Sequence, residues 1–60
     1  AVDHIALNVM NIEEAYKFIT GLGIKILTEI TFLPFWDNGV KFFIAQGPNL
    51  ERLEFAQYIK

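Results

Sequence analysis

The sequence contains no cysteine and no serine. The missing cysteine excludes disulfides and thiolate metal sites. The two absences together remove the usual serine and cysteine nucleophile sets. Five basic residues stand against seven acidic ones, and the basic residues form no cluster. The electrostatic footprint of a nucleic-acid binder is therefore missing, and no nucleic-acid partner is expected. No apolar run approaches the roughly 20 residues of a membrane span, so no membrane partner is expected either. No Gly-x-Gly-x-x-Gly follows a strand pattern, which leaves Gly21-Leu22-Gly23 as a helix stop rather than a dinucleotide loop. Ala1-Val2-Asp3-His4 lacks the basic region of a signal peptide, and a cytoplasmic location is expected. The chain has no initiator Met and starts almost inside a strand pattern, as a piece of a longer protein is expected to.

What is present is apolar and aromatic: six Phe, one Trp and two Tyr in 60 residues. That exceeds the need of an isolated surface-heavy domain and implies a face meant for burial. A domain of this size buries only about 60% of the surface that its unfolded chain exposes. Small domains make up the deficit with disulfides, a metal or a partner. Without cysteine, the choices are oligomerisation, an attached second module, or a metal held by His and carboxylate.

Residues 2–9 alternate, with Ile5, Leu7 and Val9 on one face and His4, Ala6 and Asn8 on the other, which predicts a strand. Asn11 reads as a helix N-cap with Glu14 in the capping-box position, and Glu13 and Glu14 suit the positive end of the helix dipole. Ile12, Ala15, Ile19 and Leu22 recur at helical spacing as the buried stripe, and Gly21 or Gly23 ends the helix. Tyr16, Lys17, Lys25 and Lys41 read as ordinary amphipathic or surface residues. A second strand is predicted over residues 24–31, rich in β-branched residues. Pro34 interrupts the pattern, and Asp37-Asn38-Gly39 is a turn signal. Val40 to Gln46 predicts a third strand, Gly47-Pro48-Asn49 another turn, and Leu50 to Tyr58 a fourth strand. The expected fold class is α+β: residues 1–60 form one βαβββ module, a mixed sheet with one helix on one face.

The first and last strands decide where chemistry sits. Leu53 and Phe55 are the natural partners of the helix stripe, so Arg52, Glu54, Ala56 and Tyr58 point the other way. The same rule puts Ile5, Leu7 and Val9 under the helix. His4 and Glu54 then share the helix-free face, and both are ligands for a borderline divalent metal. Two ligands are too few for a metal site with an open position for substrate. Two copies, or this module with a second like it, supply two His and two Glu.

The run Asp3-His4-Ile5-Ala6-Leu7-Asn8-Val9, then Asn11-Ile12-Glu13-Glu14-Ala15-Tyr16-Lys17-Phe18 and Leu22-Gly23, resembles the start of a vicinal oxygen chelate module. Gly47-Pro48-Asn49 followed by Glu51-Arg52-Leu53-Glu54-Phe55 is similar to the last strand of that family. The short helix exit and the Gly-Pro-Asn turn look more like the second module of a two-module chain. The superfamily includes glyoxalase I, methylmalonyl-CoA epimerase, extradiol dioxygenases, fosfomycin resistance enzymes and metal-free bleomycin-binding proteins. The resemblance implies that His4 and Glu54 ligate a divalent metal ion (Zn, Ni, Mn or Fe), and that Glu54 also serves as the proton-transferring base. It further implies a second module, as a homodimer or covalently linked, that completes an incomplete barrel around a small-molecule substrate. The implied function is half of a glyoxalase-type lyase or isomerase site acting on a small carbonyl substrate. The alternative is a metal-free, antibiotic-sequestering protein of the same fold, and a third reading is a module that pairs without chemistry.

Each residue also has a plainer reading. His4 alone is more often a hydrogen-bonded structural residue, and Glu54 alone a solvated strand residue. Phe35 and Trp36 either plug the sheet edge or wall an apolar substrate group. Phe42 and Phe43 face opposite ways, so one of them is expected on the helix-free face. Gln46 and Gln57 carry no role that the sequence assigns.

Overall fold

The computed structural model describes residues 4–35 and 37–60. Val2 and Asp3 of the expected first strand, and Trp36 in the expected apolar wall, lie outside the described residues. The elements are β1 (His4–Asn8), α1 (Ile12–Gly21), β2 (Ile26–Leu33), β3 (Val40–Gln46) and β4 (Arg52–Tyr58). The four strands form one open mixed sheet in the order β1-β4-β3-β2. β1 runs parallel to β4, and the other pairs are antiparallel. The α+β class and the βαβββ order expected from the sequence are those observed. β2 lies two residues later than expected: it continues through Phe32 and Leu33 until Pro34, which cannot extend a ladder. Two register shifts against β3, between Ile26 and Thr28 and between Thr28 and Thr31, bend this edge strand.

The helix begins as its sequence dictates. Asn11 is extended, and its side-chain Oδ1 accepts from the Glu14 N–H at 3.0 Å. A second orphan donor is satisfied from the sheet: the Ile12 N–H donates to Gln57 Oε1 at 2.8 Å. The helix ends in a Schellman motif. The Ile24 N–H reaches the Ile19 carbonyl at 3.4 Å, and the Gly23 N–H reaches that of Thr20 at 3.0 Å. Gly23 stands at φ +78°, the left-handed region that this motif requires and that a side chain disfavours. Ile24 and Ile19 both pack into the core, which is the apolar contact that accompanies the motif.

The core lies between α1 and the sheet. Ile12 and Phe43 are fully buried, with Ile19, Ala45 and Phe55 beside them. Phe43 stacks on Phe55 at a ring-centroid distance of 4.9 Å and meets Tyr16 edge-on at 5.3 Å. Such pairs contribute about 0.5–1.5 kcal/mol each beyond their burial. Tyr16 is thus amphipathic: its ring packs on the core while its hydroxyl donates to Glu29. That bond keeps the phenol protonated and raises its pKa, with desolvation and the Glu29 charge adding to the effect. Leu22 is not part of the buried stripe: it is the C-cap residue, and there its side chain is exposed.

One further expectation needs correction. Ile5 and Leu7 stand in register with Leu53 and Phe55, so they do lie on the helix side of the sheet. Among the described residues, however, α1 packs against β2, β3 and β4 and does not reach β1. Ile5 and Leu7 are consequently 41% and 45% exposed. Val9, at the end of the same strand, packs against the core.

Candidate functional site

The cross-strand register defines the helix-free face row by row, because paired residues on neighbouring strands point to the same side. The first row holds His4, Arg52 and Gln46, and the second Ala6, Glu54, Ile44 and Thr28. Asn8, Ala56, Phe42 and Thr31 follow, then Tyr58, Val40 and Leu33. His4 and Glu54, singled out from sequence alone, are therefore on one face, and their side chains meet. His4 Nε2 lies 2.9 Å from Glu54 Oε1. His4 comes from the edge strand β1 and Glu54 from its neighbour β4, so the pair sits at the rim of the sheet. The side chains remain 47% and 30% exposed, respectively, which leaves both accessible to a ligand from solvent.

The donor set can be compared with what a metal needs. Bond lengths of about 2.0–2.2 Å to nitrogen and oxygen put two ligands at right angles roughly 3 Å apart. The observed separation suits either an adjacent ligand pair or a direct hydrogen bond. Among the described residues no group of three or more His, Cys, Asp or Glu side chains gathers in one place. Among the described residues, therefore, the pair by itself could offer a divalent ion no more than two ligands. As an exposed ion pair, formed when the imidazole is protonated, His4–Glu54 contributes at most about 1 kcal/mol to the fold.

The remaining titratable contact lies on the other side of the sheet. Lys41 Nζ donates to Glu13 Oε2 at 3.3 Å across the helix–sheet boundary. The Glu13 carboxyl is held below its ordinary pKa, first by a backbone hydrogen bond and then by Lys41. Neither Lys41 nor Glu13 approaches the His4–Glu54 pair.

Sequence reasoning located the pair but missed its surroundings. Phe43 takes the core position, and Phe42 is the aromatic on the helix-free face, half-buried beside Ile44. Gln57, which had no assignable role, caps the helix from a strand 45 residues away, a contact that no local pattern announces. Gln46 and Arg52 flank His4 in its row, and only the register discloses this. Phe35 is exposed on the β2–β3 connection. A separate open depression of about 430 Å³ lies where β1 and β4 end, lined by Asn8, Val9, Met10, Gln57, Tyr58 and Lys60. It is at the opposite end of these strands from His4 and draws on both faces of the sheet, so it is not the site of the paired ligands.

Comparison with known proteins extends the fold but not the chemistry. No family model matches the chain, and neither does any curated protein. A crystal structure of TioX from Micromonospora sp. ML1 superposes with a TM-score of 0.81 over 100% of this chain at 15% sequence identity. A solved structure described as a conserved domain protein superposes with a TM-score of 0.77 over 93% of the chain at 30% identity. The chain covers 45% and 46% of those two proteins, respectively, so it spans about half the length of each. The small βαβββ fold is therefore shared with known structures roughly twice as long.

Proposed function

We propose that this chain is a vicinal oxygen chelate module that contributes half of a metal-dependent, glyoxalase-type active site. The single observation that carries the reading is the convergence of His4 and Glu54, 50 residues apart, on the helix-free face at 2.9 Å. His4 and Glu54 are the proposed ligands of a divalent ion (Zn, Ni, Mn or Fe), and a second βαβββ module, as a homodimer or covalently linked, completes the set. When bound, the metal supplies Lewis-acid polarisation of a carbonyl oxygen. Glu54 is the proposed proton-transferring group, moving a proton at the carbon beside that carbonyl of a small substrate. The reaction class is lyase or isomerase, and the proposed location is cytoplasmic.

Two features favour a second module at the β1 edge. The ligand pair sits on that rim, so ligands added from outside reach it most directly across β1. Behind the same rim, Ile5 and Leu7 are uncovered by α1. Phe18 and Leu22, four residues apart on the helix flank opposite the one that reaches β2, are exposed as well.

The competing reading is a metal-free small-molecule binder of the same fold. What favours it is that His4 and Glu54 satisfy each other by a direct hydrogen bond and that no third metal-ligating side chain joins them among the described residues. Equilibrium dialysis of the intact protein against Zn, Ni, Mn and Fe(II) at neutral pH separates the two. The enzyme reading expects bound metal, and sharply reduced occupancy in His4→Ala and in Glu54→Ala with the circular dichroism unchanged. A protein that takes up none of the four ions leaves the metal-free reading. Metal retained equally by His4→Ala means that the site lies elsewhere.

A further inference from the structure

The only arginine of the chain stands in the first row of the helix-free face, between His4 and Gln46. Its side chain is exposed and makes no ion pair or hydrogen bond with any described residue. Glu54, the carboxylate in the next row of that face, is engaged by His4 instead. Along the strands the face then changes character. Beyond the row of Glu54 and Ile44 come Phe42 and Ala56, then Val40. Phe42 and Ile44 are half-buried although no helix covers them, and Val40 is buried. One end of the face thus carries a cation unpaired among the described residues, and beyond it Ile44, Phe42, Ala56 and Val40 form an apolar strip along β3 and β4, flanked by Asn8, Thr31 and Tyr58. Rows on one face repeat every second residue, about 7 Å apart, so Ile44 lies roughly 7 Å along the strands from Arg52, Phe42 about 13 Å and Val40 about 20 Å.

From this gradient we infer that the face selects an amphiphilic anion. Arg52 binds its carboxylate or a similarly planar anionic group, and Ile44 and Phe42 receive an apolar body one to two rows away. A guanidinium suits this task because its planar fork matches a carboxylate with two parallel N–H donors and keeps its charge at any working pH. Arg52 acts here as a specificity residue: it sits beside the ligand pair without being part of it. The inference rests on the His4–Glu54 face being the working face, but it does not depend on a metal.

The test uses the intact protein in EDTA, so that loss of metal binding and loss of anion binding are read separately. The probes are 4-phenylbutyrate, whose carboxylate and ring are spaced for the two ends, its neutral amide, and butyrate, which lacks the ring. Binding is followed by amide chemical shifts and by calorimetry. Wild type is expected to prefer 4-phenylbutyrate over both other probes, with shifts at Arg52, Ile44 and Phe42. Arg52→Gln should lower that affinity about ten-fold and abolish the preference for the anion, while Arg52→Lys, which keeps the charge but not the fork, falls between. Glu54→Gln, which removes a nearby negative charge, should bind the anion at least as well as wild type. Because Arg52 is exposed, the variants should keep the wild-type circular dichroism. The inference is overturned if wild type binds none of the probes, if the amide binds as tightly as the anion, or if Arg52→Gln is unchanged. Shifts confined to Asn8, Tyr58 and Lys60 also overturn it, since they move the site to the depression where the strands end.

Discussion

The two faces of the sheet are built from alternate residues of the same strands, yet they obey different rules. On the covered face of β3 and β4, Phe43, Ala45 and Phe55 interlock with Ile12 and Ile19 of the helix. Burial and ring geometry account for these five residues. On the free face the same strands carry Phe42, Ile44, Arg52 and Glu54, and β1 adds His4. No packing partner within the described chain requires a histidine, an arginine or a carboxylate at those positions. The contrast teaches that a strand can divide its labour at single-residue resolution: odd positions of β3 and β4 face the helix, while even positions carry both the buried Val40 and Ala56 and the charged Arg52 and Glu54.

The sharpest way to break that division is to compare adjacent phenylalanines. Phe43→Ala removes a fully buried ring that touches Tyr16 and Phe55, and should cost about 3–5 kcal/mol. A 60-residue domain has little more stability than that to lose, so unfolding at room temperature is the expected result. Phe42→Ala, one residue away on the half-buried face, should cost less than about half as much. Urea unfolding followed by circular dichroism measures both. Equal losses would mean that the free face is as much a core as the covered one.

The His4–Glu54 pair comes next in size. His4→Ala and Glu54→Ala should each change the unfolding free energy by less than about 1 kcal/mol, since the pair is exposed. A loss of about 3 kcal/mol from either would assign the pair to the fold rather than to a site, because that is the scale of breaking a buried pair.

The sequence made the division legible because alternation is local. His4 and Glu54 could be assigned to the helix-free face from the parity of Ile5, Leu7, Leu53 and Phe55 alone, and the register bears that parity out. The N-cap at Asn11 and a stop at Gly21 or Gly23 were legible for the same reason, since each depends on a few neighbouring residues, and the structure settles the stop at Gly23. What could not be read were relations between distant segments. The reach of α1 over three strands but not the fourth, the cap supplied by Gln57 and the edge-on contact of the Tyr16 ring with Phe43 all depend on how elements dock. Parity says which side Ile5 and Leu7 face, not whether anything covers them. The register shifts inside β2, between Ile26 and Thr31, are likewise not encoded by alternation.

The β3–β4 turn offers a smaller test, this time of local strain. Leu50 adopts φ +67° between the Gly47–Asn49 turn signal and β4, in the left-handed region that costs a side-chain-bearing residue about 1–2 kcal/mol. Its side chain is 75% exposed, so little packing is lost by removing it. Leu50→Gly should therefore raise stability by up to about 1 kcal/mol, offset in part by the greater entropy of glycine in the unfolded chain. Thermal unfolding detects a shift of this size in so small a domain. An unchanged or lower midpoint would show that Leu50 is held by contacts that its exposure does not reveal.

The smallest effect belongs to the Glu13–Lys41 contact, which ties the first turn of the helix to the covered side of β3. Glu13 has a folded-state pKa depressed below its ordinary value, chiefly by a backbone hydrogen bond and secondarily by Lys41. Its contribution is therefore complete above the unfolded-state pKa of about 4.5 and is lost as pH falls through the lower folded-state value. Protonation removes the charge that suits the helix N-terminus and that attracts Lys41. Both groups are well exposed, so salt should weaken the effect. Glu13→Gln should accordingly flatten the acid limb of the stability–pH profile below about pH 4.5 while leaving the neutral region close to wild type. Lys41→Met should flatten it less, because the larger cause of the depressed pKa is the backbone bond that survives that substitution. Denaturant melts at pH 3, 4, 5 and 7 in low and high salt distinguish the two. A Lys41→Met profile flatter than that of Glu13→Gln would reverse this ranking and make the cross-element ion pair, rather than the helix terminus, the source of the acid sensitivity.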